Sequence, residues 1–88
     1  MRINPRFKVR NVADENVILV QGRNPGDMTT VIALNETSLF LWNSLLGRDF
    51  GKLDVVSLLT ERYDVDEPRA AADADQWLAT LKENNILL

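Results

Sequence analysis

The sequence predicts an α+β domain in which a three-stranded antiparallel β-meander is followed by three α-helices. Apolar residues alternate with period two in the first half of the chain and recur with helical spacing in the second. A loop dense in glycine and proline interrupts the extended half, as a connection between antiparallel strands requires. The 88 residues are 45% hydrophobic and 26% charged, which suits one small domain spanning residues 1–88. Strands followed by helices pack most simply as a meander laid on a short helical bundle.

The first strand is expected over about residues 6–12, where Phe7, Val9 and Asn11 alternate with Lys8 and Arg10. Ala13-Asp14-Glu15-Asn16 forms a polar break of turn length. The stretch from Glu15 to Gln21 is rich in β-branched residues, and its continuous apolar centre points to burial on both faces. Gly22 to Asp27 reads as a hairpin loop longer than two residues. Met28 to Leu34 resumes an extended pattern as the third strand.

Asn35 marks the switch to helix, as an N-cap with Glu36 in the first turn and Leu34 and Leu39 spaced for a hydrophobic staple. Leu41, Trp42, Leu45 and Leu46 form its expected inner face, and Gly47 suits the left-handed residue that ends it. A second helix is expected from Leu53 to Tyr63, with Leu53, Val56, Leu59 and Tyr63 inward. Asp66-Glu67-Pro68 starts a third, combining a cap, a first-turn acid and a tolerated proline. Ala70, Ala74, Trp77, Leu78 and Leu81 line its inner face, and Asn84-Asn85 closes it.

Composition narrows the function. The chain contains no cysteine and no histidine, so it has no disulfide, no thiolate nucleophile, no Cys/His zinc site and no imidazole base. The remaining carboxylates are poorly arranged for catalysis. Asp64, Asp66 and Glu67 fall in a turn where capping and solvation account for them. Asp73 and Asp75, two apart on a helix, face different ways. The loop from Gly22 to Gly26 leads into a strand and lacks a Gly-Lys-Ser/Thr ending, so it is no phosphate loop. Neither an enzyme nor a cofactor nor a metal site is expected.

The net charge is −3, with four cations (Arg2, Arg6, Lys8, Arg10) in the first ten residues and an acidic second half. That balance disfavours nucleic acid. No apolar run is long enough to span a bilayer and the N-terminus lacks a signal-peptide core, so a cytoplasmic protein with no membrane partner is expected.

The third strand carries the most pointed signal. In a three-stranded sheet two strands are edges, and Thr29, Thr30, Val31 and Ile32 include no charge, lysine or proline to defend one. Such an edge accepts an extended peptide by strand addition, or else a helix or a second copy covers it. Trp42 reads as core, whereas Trp77 lies near a helix rim where tryptophan often lines a ligand groove.

The segment from Ala33 to Gly47, with Leu34-Asn35-Glu36-Thr37 leading an apolar helix to a closing glycine, resembles the pyrroloquinoline quinone synthesis protein D (PqqD) family. The resemblance continues through Val55–Val65, Asp73-Ala74, Trp77-Leu78, Leu81 and Ile86-Leu87, covering about residues 5 to 88. Asn85 stands where the family often has glycine, and Ala74 where it often has a large apolar residue. The resemblance implies a winged-helix-like fold that binds the leader of a ribosomally made precursor peptide as an extra strand beside strand 3. It further implies presentation to a modifying enzyme, such as a radical S-adenosylmethionine enzyme or a leader protease. Carried over by position, the peptide-binding residues are Met28, Thr29, Thr30, Val31, Ile32, Arg69, Asp73, Gln76, Trp77 and Thr80. The alternatives are a winged-helix DNA-binding or regulatory module and a homodimer paired through strand 3.

Overall fold

A computed structural model describes residues 1–20 and 29–88. Its order is β1 (Val9–Val12), β2 (Glu15–Val20), β3 (Thr30–Leu34), α1 (Glu36–Leu45), α2 (Lys52–Arg62) and α3 (Glu67–Glu83). The strands form one antiparallel sheet in the order β1-β2-β3, as the period-two pattern predicts. Met28 and the expected loop over Gly22–Asp27 lie outside the described residues.

The register follows from a two-residue turn. Ala13 and Asp14 both have positive φ (51° and 66°), which is the backbone of a type I′ hairpin, so Val12 faces Glu15 directly. The polar break is therefore two residues rather than four, and β2 begins at Glu15 as expected. Alanine is a poor residue for this conformation because its Cβ crowds the backbone, whereas asparagine tolerates it. Ala13→Asn should therefore raise stability by about 0.5–1 kcal/mol, read as a higher melting temperature.

Flanking residues of a two-residue hairpin exchange both backbone hydrogen bonds, and the bonding direction then alternates along each strand. Glu15 and Val17 therefore direct their backbone groups to β1, and Asn16, Ile18 and Val20 direct theirs to β3. Their partners Leu34, Ile32 and Thr30 point back to β2. It follows that the N–H and C=O groups of Val31 and Ala33 point away from the sheet.

Side chains alternate across the same ladder. Val9, Ile18 and Ile32 share the face that packs on the helices, whereas Arg10, Val17 and Ala33 share the other. Ile18 joins the helical core and Val17, although buried, does not, so β2 is buried on both faces only at its centre. β1 is shorter than expected, beginning at Val9, and Asn11, although on the same face as Val9, is exposed.

The helices begin where the cap residues predict. The Asn35 side chain accepts from the Ser38 N–H at 2.8 Å and that of Asp66 from the Arg69 N–H at 3.0 Å. α2 starts at Gly51, whose N–H donates to the Asp54 carboxylate at 2.8 Å. Gly47 (φ 83°) and Asn85 (φ 56°) take the left-handed conformation just past α1 and α3. All five expected inner residues of α3 are buried. Two expected inner residues are not: Leu46 is exposed beyond the last turn of α1, and Leu53 is 79% exposed. α2 buries Val55, Val56 and Leu59 instead, and at 100° per residue that places Leu53 on the flank of the helix. Small Ala70 and Ala74 are fully buried in α3, which packs closely along α2.

The two ends of the chain meet. Ile3 forms an antiparallel bridge with Leu87, the Asn4 N–H donates to the Ile86 carbonyl and the Leu88 N–H to the Arg2 carbonyl, each at 2.8 Å. The Met1 ammonium donates to the Phe50 carbonyl at 2.7 Å, and the Phe50 N–H donates back to the Met1 carbonyl at 2.8 Å. Ile3 and Phe50 both enter the core.

Candidate functional site

The open edge of β3 ends at Asn35, and the capped first turn of α1 follows at once. That short junction sets the edge strand, the start of α1 and the middle of α3 around one groove of about 350 Å³. Ile32, Ala33 and Leu34 form its strand side, and Thr37 and Ser38 close its end at the start of α1. Leu41 and Leu59 supply an apolar floor. The far wall is α3, through Asp73, Gln76, Trp77 and Thr80. Spacings of three and four residues put these side chains on one helical face.

The expected site residues divide into three groups. Ile32, Asp73, Gln76, Trp77 and Thr80 are brought together at the groove. Thr29, Thr30 and Val31 are exposed along the edge strand or just before it, outside the groove lining, and Val31 is 59% exposed. Arg69 is also exposed and outside the lining, because it sits in the first turn of α3 beside its cap. Met28 lies outside the described residues. Thr37 and Ser38 are additions, and their signal was the Asn35 cap itself, which forces the first turn of α1 against the strand end.

Polar groups in the groove are unevenly satisfied. The Thr80 hydroxyl donates to the Gln76 carbonyl at 3.1 Å, so its proton is committed to its own helix. Trp77 is 9% exposed and tilted against Phe50 with ring centroids 6.4 Å apart. Its buried indole Nε1 has no acceptor among the described residues. Among the described residues, Asp73 is the one charged side chain in the lining. Among the described residues no three acidic side chains gather as metal ligands, and no helix is long and apolar enough to cross a membrane.

A second, more open concavity lies on the far side of α1, lined by Glu36, Leu39, Phe40, Asn43, Arg62 and Tyr63. Arg62 stacks over the Phe40 ring at 4.6 Å and Tyr63 meets that ring edge-on, so its groups are engaged with one another. The first groove, bordered by strand backbone that is unpaired among the described residues, is the stronger candidate for binding.

A family model described as coenzyme PQQ synthesis protein D (PqqD) matches residues 15–87. The search of curated proteins and the search of solved structures each returned no match.

Proposed function

The chain belongs to the coenzyme PQQ synthesis protein D family, and on that premise we propose that it binds the leader of a ribosomally made precursor peptide by strand addition. The leader lies antiparallel or parallel along β3, held by the outward N–H and C=O groups of Val31 and Ala33. Alternate side chains of the added strand then face the groove beneath α3, and the rest lie on the outer sheet face. Backbone hydrogen bonds supply affinity and the groove supplies specificity. The protein is non-catalytic in this reading: a cytoplasmic peptide chaperone that presents the bound leader to a modifying enzyme, such as a radical S-adenosylmethionine enzyme or a leader protease.

The observation that carries the reading is an uncharged strand edge, unpaired among the described residues, that borders a groove. A nucleic-acid role is less well supported, because α3 bears four acids and two bases and offers phosphates little. Pairing of β3 with a second copy uses the same edge, and sedimentation with and without peptide separates the two.

Amide NMR of the labelled protein, titrated with the leader peptide encoded beside its gene, tests the proposal. The expected shifts concentrate at Val31, Ala33, Asp73, Gln76 and Trp77. A folded protein whose spectrum does not change at saturating peptide would refute it.

A further inference from the structure

We infer that the groove selects an extended segment carrying a lysine or arginine on the face turned toward α3, with the Asp73 carboxylate as the group that meets it. This rests on the strand-addition reading above and names the chemistry of its occupant. Among the described residues, the groove lining includes one acidic side chain and no basic one. Asp73 makes no ion pair and no side-chain hydrogen bond among the described residues. Its neighbour Asp75 is engaged, at 3.0 Å from Lys52 on α2. Arg69, one turn before Asp73, lies outside the lining and forms no salt bridge with it. Among the described residues, therefore, no cation compensates the negative charge at the groove.

An added strand takes Asp73 partly out of water. A neutral or acidic side chain beside it would leave the carboxylate short of hydration with nothing in return, which disfavours such occupants. A long cationic side chain meets two features at once. Trp77 is four residues after Asp73 and on the same helical face, so an alkyl stem packs against the indole while the charged head reaches the carboxylate. Gln76, with no side-chain hydrogen bond among the described residues, adds a carbonyl oxygen beside that head. Because side chains alternate along a strand, the cation occupies one position of a period-two series whose other groove-facing members are apolar, over Leu41 and Leu59.

The test is a selection of randomised twelve-residue peptides, by mRNA display, on the folded full-length protein and on Asp73→Asn and Asp73→Lys. The wild type is expected to enrich lysine or arginine at a single position, two residues from an apolar one. Asp73→Asn should weaken binding of those peptides by about tenfold. Asp73→Lys should shift the preference to aspartate or glutamate. Asp73 is exposed, so both variants should fold, and their amide spectra check this. If the selected peptides shift the Val31 and Ala33 amides but show no basic preference, or one that Asp73→Lys leaves unchanged, this inference is overturned and strand addition stands. If the folded wild type enriches no peptide, both fall together.

Discussion

Val31→Pro should abolish leader-peptide binding while leaving the domain folded, and Ile32→Pro, one residue further on, should unfold it. The contrast follows from the ladder. The Val31 N–H points away from β2 and carries no hydrogen bond within the sheet, so proline removes nothing the fold uses. The Ile32 N–H bonds β2 opposite Ile18, at the centre of the sheet, and its loss breaks the ladder where the core side chain is also held. For binding, the proline at position 31 deletes the donor that an added strand needs and sets a ring where its backbone must lie. Leaving that peptide carbonyl without its donor costs about 2 kcal/mol, roughly thirtyfold in affinity, before the steric conflict is counted. Circular dichroism and thermal melting report the fold, and calorimetry with the leader peptide reports affinity. Normal peptide affinity in a folded Val31→Pro protein would rule out pairing at this edge.

That contrast was only half visible in the sequence. The absence of charge over Thr29 to Ile32 marks an undefended edge, because a chain that leaves a strand unpaired normally protects it. Which amides face outward depends on the phase of the ladder. Here a two-residue turn at Ala13-Asp14 sets that phase, although neither residue is glycine or asparagine, the pair on which hairpin recognition relies. The caps were legible because Asn35 and Asp66 bond backbone within their own first turn, a local interaction that spacing reveals. The inner face of α3 was legible for a related reason: a seventeen-residue helix repeats its apolar stripe often enough to define it. α2 is shorter and has apolar residues on two flanks. Its rotation is decided by what it packs against, which turns Val55 inward and Leu53 outward. At the groove, all five α3 residues rest on the family resemblance: Asp73, Gln76, Trp77 and Thr80 lie in the lining, whereas Arg69 falls one turn short of it, because nothing in the sequence says which part of the helix meets the strand edge.

Ile3→Ala should cost about 2–5 kcal/mol, although the residue lies outside both the sheet and the helices. Nothing in the local sequence advertises this residue. It stands alone between arginine and asparagine, in no periodic run, yet it is 1% exposed and packed into the common core. Its burial comes from chain ends that meet. The bridge to Leu87 and the bonds from Asn4 to Ile86 and from Leu88 to Arg2 hold the first residues against the segment that leaves α3. The exchange between Met1 and Phe50 ties the same residues to the α1–α2 connection. Phe50 in turn packs on Trp77, in the wall of the groove. A domain of this length has about 4–13 kcal/mol of total stability, so losing the Ile3 side chain consumes a large share of it. Leu88→Ala, at a residue 71% exposed and one position past the bridge, should change stability by less than about 0.5 kcal/mol. Because the clasp reaches the groove through Phe50 and Trp77, Ile3→Ala should also broaden the Trp77 indole resonance below the melting transition, with Leu88→Ala leaving it sharp. Equal melting temperatures for the two variants would mean that the N-terminal segment is not part of the core.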